Sequence, residues 1–178
     1  MSETFKDFDF ENFWDNCEYA QEAYISEPFS DELLLEIENE LGFKLPKDYI
    51  EFMRYQNGGT PFNTCHSTDT PTSWAEDHIA ITGIFGIHRE KDYSLCGELG
   101  SQFMIDEWGY PNDCVYFASC PSAGHDMVAF DYSECGKNGE PCIVHIDQEC
   151  DYEKTFLAKD FATFIKGLKN DDEFDLYE

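Results

Sequence analysis

Apolar positions in the first third of the chain recur at helical spacing. Phe10, Phe13, Trp14, Cys17 and Tyr24 fall on one side of a 3.6-residue period and predict a helix over 9–24, with Asp9 capping its start. The stretch "SEPFS" breaks it. From Ser30 a second pattern begins, with Leu33, Leu34, Ile37 and Leu41 as the apolar stripe and Gly42 as the exit. Ser30 is the expected N-cap, and Asp31 and Glu32 sit in the first turn, where the helix dipole favours negative charge. A third helix is predicted over "LPKDYIEFMRYQNGG", with Pro46 in its first turn and Tyr49, Phe52 and Met53 turned inward.

The period then changes. Residues 60–77 are rich in Thr, Pro and Asp, lack any period and read as a long loop. "HIAITGIFGI" alternates and is β-branched, so it reads as a strand bent at Gly83 and Gly86. Residues 98–108 suit a short helix with Leu99, Phe103 and Trp108 on one side. "DCVYFAS", "DMVAFDY" and "PCIVHID" are predicted strands, the last two joined by the turn-forming "ECGKNGE". "TFLAKDFATFIKGLK" is predicted as a closing helix, with Phe161, Phe164, Ile165 and Leu168 inward and Lys166 and Lys169 at its C-terminal end. Helices followed by strands and a final helix predict an α+β fold in one domain: a central, largely antiparallel sheet packed by N- and C-terminal helices. The expected division is an acidic helical extension over 1–29, the α+β body over 30–170 and an acidic tail over 171–178.

Charge changes the picture most. Eleven Lys and Arg against 38 Asp and Glu give −27 over 178 residues. Residues 1–40 alone hold 13 carboxylates and a single basic residue, Lys6. Such a chain repels nucleic acid and anionic membranes, so neither is an expected partner. It attracts a basic protein, over a range that salt cuts to about 8 Å at physiological strength. The aromatic content of 16% argues for a packed core rather than disorder. No basic start precedes an apolar run and no apolar run reaches spanning length, so the expected compartment is the cytoplasm. The eight cysteines (17, 65, 96, 114, 120, 135, 142, 150) include no CxxC pair, which leaves a zinc ribbon unsupported and is read with reduced thiols.

The chemistry concentrates in "SAGHDMVAFDYSECGKNGEPCIVHIDQE". His125, Asp126, Asp131, His145 and Asp147 lie within this short segment. If the two strands pair, Asp131 and His145 approach across the turn, and His145 and Asp147 leave the same side of their strand. Three readings stand side by side: a metal or acid/base site, a polar sheet face whose His and Asp bond each other, and a partner-binding face. Cys120 reads as a buried structural thiol, and Ser122 lacks the GxSxG setting of a nucleophile. No metal or cofactor is expected.

"FKLPKDYIEFMRYQNGG", the strand ending "GIFGI", "SAGHDMVAFDYSECGKNGEPCIVHID" and "TFLAKDFATFIKGL" together resemble the SUKH superfamily over roughly residues 30–168. That superfamily contains yeast regulators of cell-wall assembly and glucan synthesis and many bacterial immunity proteins. The resemblance implies a single α+β domain without enzymatic activity that binds and neutralises a toxin, commonly a nuclease. A scaffold of cell-wall synthesis is the alternative, and a metal-dependent enzyme on the five His and Asp residues a third. The family's polar positions map onto Asp126, Asp131, His145 and Asp147. Residues 1–29 and the eight cysteines fall outside the pattern. For partner contact the sequence offers those four residues, Asp15, Glu18 and Glu22 on the first predicted helix, and the loop 60–77.

Overall fold

A five-stranded antiparallel sheet forms the centre of the computed structural model, which describes residues 3–174. Its strands run in the order β3 (Gly83–Ile84), β4 (Cys114–Ser119), β5 (Asp126–Asp131), β6 (Cys142–Asp147) and β7 (Glu153–Ala158), each beside its chain neighbour. Every residue of β4 is buried, and β5 and β6 each expose part of one end residue only. Both sheet faces are therefore covered, which is why these strands read as near-continuous apolar runs. A second, two-stranded sheet pairs β1 (Cys65–Ser67) with β2 (His78–Ala80).

The helices are α1 (Glu18–Ala23), α2 (Asp31–Leu41), α3 (Lys47–Tyr55), α4 (Ser101–Trp108) and α5 (Phe161–Lys166). Local signals locate α2 well: Ser30 Oγ accepts from the Leu33 N–H at 3.1 Å, and Gly42 leaves the helix at φ 81°. In α3 Pro46 is the N-cap, one position before its expected place, and Tyr49, Phe52 and Met53 are buried. Helix α5 lies on β6 and β7 and against α3. The core is aromatic there: Phe117 stacks on Phe130 at 4.2 Å, and Phe161 meets Tyr49 edge-on at 5.2 Å.

Four expectations are corrected. The helix over 9–24 survives only as α1, because residues 8–14 wrap around Phe52 instead of coiling. Phe8, Phe10, Phe13 and Trp14 all lie within 5.6 Å of that ring, and Trp14 bridges to Pro61. Asp9 accepts from the Asn12 backbone and side chain, closing a local turn rather than capping a helix. The strand over 78–87 is divided between two sheets at Gly83, where a Cβ would collide with the Tyr24 ring. The loop 60–77 contains β1. The closing helix is split into β7, a turn at Asp160 and the short α5; Asp160 caps it by accepting from the Thr163 N–H at 2.8 Å. Of the acidic tail, Asp171–Glu173 form a 3-10 turn and 175–178 lie outside the described residues.

The expected boundary at 29 is not a packing boundary. Phe5, Trp14, Ala20 and Tyr24 are buried in the same core as the sheet. Among the described residues no helix is long and apolar enough to cross a membrane.

Candidate functional site

Register decides which of the His and Asp residues meet. In the β5–β6 hairpin Asp126 faces Asp147, Val128 faces His145 and Asp131 faces Cys142. Asp126 and Asp131 thus sit at opposite ends of β5, about 17 Å apart at 3.4 Å per residue. The expected approach of Asp131 to His145 is corrected, and so is the five-residue metal set. Asp131 instead joins Asp113 and Cys114, and Lys154 Nζ lies 3.2 Å from a carboxylate oxygen of both Asp131 and Asp113. Burial works against its ionisation, but the Ser133 N–H and the Lys154 ammonium hold the Asp131 carboxyl below the ordinary range.

At the other end lies a buried polar cluster. His145 Nε2 donates to Asp126 Oδ2 at 2.7 Å, with His145 fully buried and Asp126 2% exposed. The Ser122 hydroxyl also binds the Asp126 carboxylate and accepts from the Asp126 N–H. This places Ser122 in support of the strand end. Among the described residues His145 Nδ1 has no hydrogen-bond partner. Asp147, on the same side as His145, accepts from the Ser73 N–H and hydroxyl, each at 2.8 Å. Those donors, acting against burial, hold its carboxyl below the ordinary range. They also pin the loop 60–77 to the sheet. His125 points out and pairs with Glu149 at 2.6 Å. Asp126, His145 and Asp147 are therefore interior groups. As a partner-binding set they are corrected, because the fold turns them away from solvent.

Cys120, Asp126 and His145 place possible ligand atoms within 4.8 Å of one another. Burial and the Asp126 carboxylate push the Cys120 thiol well above its ordinary range, which keeps it protonated and a poor nucleophile. A thiol reagent should modify the exposed Cys17, Cys135 and Cys150 of the native protein and spare Cys114 and Cys120. Mass spectrometry with and without denaturant reads this directly, and rapid labelling of Cys120 in the native protein would contradict its burial.

Cys120 also forms part of the wall of a cavity of about 400 Å³. Tyr19 from α1, Tyr93, Phe103 and Trp108 from around α4, and Pro121, Ala123 and Gly124 from the turn before β5 surround it. That turn takes two successive left-handed residues, Ala123 at φ 57° and Gly124 at φ 98°. Gly124 is needed there because a Cβ would press on the Trp108 ring at 3.0 Å. Tyr24 closes the back, its hydroxyl 2.6 Å from Ser119 Oγ and its ring stacked on Tyr93 at 4.9 Å. No single segment carried a signal for this cavity. "PSAGHD" pointed to a turn, and the aromatics come from three distant stretches.

Of the other expected contact residues, Asp15 is half-buried and its backbone is bound on both sides to Thr60. Glu18 and Glu22 are exposed on α1. Among the described residues neither forms an ion pair. On α2, by contrast, Asp31 meets Arg54, and Glu36 and Glu40 meet Arg89. The α1 face carries two unpaired carboxylates, Glu18 and Glu22, beside the Lys91 ammonium, which donates to the Gln21 carbonyl at 3.1 Å, and Tyr19 stands in it half exposed. In the loop 60–77, Phe62 and Trp74 are exposed apolar side chains.

The model of the SMI1 / KNR4 family (SUKH-1) matches residues 28–167, well over half of the chain. No curated protein matches it.

Proposed function

The chain belongs to the SMI1 / KNR4 family (SUKH-1), and on that premise we propose that it is a non-enzymatic immunity protein that binds and neutralises a basic toxin domain, a nuclease by preference. The observation that carries this reading is the net charge of −27 on a folded body. A nuclease holds phosphates with a cationic surface, and an anionic protein competes for that surface directly. Long-range attraction speeds the encounter, toward ~10⁸–10⁹ M⁻¹s⁻¹ at low salt. The ribonuclease–inhibitor pair that established this behaviour is a general precedent for acidic inhibitors.

Contact is assigned to the α1 face, where Glu18 and Glu22 are exposed and form no ion pair among the described residues and Tyr19 offers an aromatic anchor. The reading without enzymatic activity is supported by a protonated, buried Cys120 and a His145 wholly shut away from solvent. Regulation of cell-wall synthesis through a protein partner is the second reading, since the family includes such regulators.

Mixing the chain with a basic nuclease encoded beside its gene tests the proposal. The expected result is a stoichiometric complex, loss of nuclease activity and affinity that falls steeply with added salt. The pair Glu18→Lys and Glu22→Lys should slow association about tenfold at low salt. No complex at low salt, with the nuclease still active, overturns the proposal. Capture of envelope-synthesis proteins alone would move the assignment to the second reading.

A further inference from the structure

Among the described residues six large apolar side chains stand exposed, and their surroundings separate them. Leu35 lies on α2, three of whose carboxylates are paired with Arg54 and Arg89. Tyr55 follows Arg54 and stacks on Phe10 at 3.9 Å. Phe62 precedes Asn63, which shares a cavity wall with Lys166. Phe156 has Lys154 before it and Lys159 after it. The two that remain are Tyr19 of the α1 face and Trp74.

Trp74 is 42% exposed, and residues 60–77 around it contain no Lys or Arg. The loop has a fixed shape. Ser67 pairs with His78 at its base, the Thr68 N–H donates to the Asp77 carbonyl at 2.9 Å, and the Thr72 hydroxyl accepts from the Trp74 N–H at 3.2 Å. The two bonds from Ser73 to Asp147, each at 2.8 Å, then join this loop to the turn 147–153, which also lacks a Lys or Arg. In that turn the Glu149 N–H donates to the same Asp147 carboxylate at 3.1 Å, the Tyr152 N–H donates to the Asp147 carbonyl at 2.8 Å, and Glu153 stands opposite Asp147 in the β6–β7 ladder. Six exposed carboxylates belong to the two joined segments: Asp69, Glu76, Asp77, Glu149, Asp151 and Glu153. Asp77 meets the His78 imidazole and Glu149 that of His125; the other four form no ion pair among the described residues. Lys154, next in the chain, is held by Asp113 and Asp131, whose two charges exceed its one.

This corner is continuous with the α1 face. Tyr19 and Trp108 border one cavity, and the Trp108 ring meets His125 edge-on at 5.3 Å. His125 reaches Glu149 at 2.6 Å, and Glu149 and Ser73 share Asp147.

We infer that the corner around Trp74 is a second contact surface for the basic partner, continuous with the α1 face across Trp108, His125 and Glu149. The inference rests on the proposed toxin-binding function and adds an anchor to it. The carboxylates steer a cationic surface in, and an exposed Trp on a loop already held in place forms contacts without a further cost of ordering. Asp147 serves as a positioning residue, since it holds the loop from the interior.

Two measurements test this. The first needs no partner and reads the potential at Trp74. The fluorescence difference between the full chain and Trp74→Phe is followed as caesium or iodide is added at low ionic strength, each scaled to its quenching of N-acetyltryptophanamide. An anionic corner gathers the cation and excludes the anion, so caesium should quench Trp74 several-fold more than iodide. Equal quenching, or a preference for iodide, overturns the surface. The second uses the complex with the basic nuclease. Trp74→Ala should weaken it about tenfold or more, and Trp74→Phe less. The combination Glu76→Gln, Asp151→Asn and Glu153→Gln, which touches only exposed side chains, should slow association several-fold at low salt while the melting curve stays native. Phe156→Ala removes a ring flanked by lysines and should leave the affinity unchanged. A complex indifferent to Trp74→Ala, yet still slowed by Glu18→Lys with Glu22→Lys, overturns the inference and leaves the neutralising function standing. No complex with the unaltered chain overturns the function and the inference with it.

Discussion

A chain lacking residues 1–27 should fail to fold. The family match begins at residue 28, so this truncation keeps the whole matched region. It nevertheless removes Phe5, Trp14 and Tyr24, which are 1%, 5% and 1% exposed. Phe5 packs on Phe52 at 5.0 Å, and Tyr24 anchors Ser119 at the end of β4. Loss of one buried Phe or Trp side chain costs about 3–5 kcal/mol. Losing three such groups is comparable with the whole stability of a domain, about 5–15 kcal/mol. The stripped surface around Phe52 would also be apolar and prone to association. Circular dichroism and calorimetry check this: the truncated chain should show no cooperative melt. A truncated protein with native near-ultraviolet signal would mean that the first segment is a removable appendage.

His145→Ala should destabilise the protein by about 3–5 kcal/mol, because it takes the imidazole from the buried Asp126 carboxylate and leaves it only the Ser122 hydroxyl. At this chain length that corresponds to a fall in Tm of about 10 °C. Asp126→Ala should cost a similar amount by stranding the imidazole. Replacing both together, as Asp126→Leu with His145→Leu, should restore much of the loss, since neither group then remains buried and unpaired. Denaturant melts of the two single variants and the double variant complete the cycle. Additive losses would show that the pair acts only by filling space. The cysteine-labelling pattern and the salt dependence of the complex test the exterior in the same way that these two predictions test the interior.

The two families of sites differ in how the chain encodes them. Glu18 and Glu22 were visible as candidates because an exposed acidic helix face declares itself in charge and period. Asp126, Asp131, His145 and Asp147 were visible as residue types, but not as an arrangement. The hairpin between β5 and β6 could be read from its turn, yet its register places Asp131 with Lys154, a residue of β7 that had been assigned to no strand. The segment around Thr155 to Ala158 gave a helical reading because it runs into the amphipathic α5 without a Gly or Pro between them. The ladder with β6 decided otherwise.

The first predicted helix shows the same limit from the other side. Phe10, Phe13 and Trp14 have helical spacing, but aromatic rings reach far enough to cover Phe52 from an irregular backbone. Bonds to the 60–62 segment, from the Asp15 N–H to the Thr60 carbonyl and from the Phe62 N–H to the Phe13 carbonyl, then hold that backbone open. Periodicity reports that a face is apolar. It does not report which backbone presents it.

By itself the sequence determined the fold class, the α2 helix with its ends, the α3 helix, the three central strands and the anionic exterior. Each of these follows from interactions between near neighbours in the chain or from a sum over all residues. Tertiary structure alone decided that Asp126 pairs with His145 in the interior, that Phe5, Trp14 and Tyr24 complete the core, and that Tyr19, Tyr93, Trp108 and Cys120 border one cavity. Those outcomes depend on strand register and on packing between segments distant in the chain, where many arrangements satisfy the same local pattern and only the burial of the whole selects one.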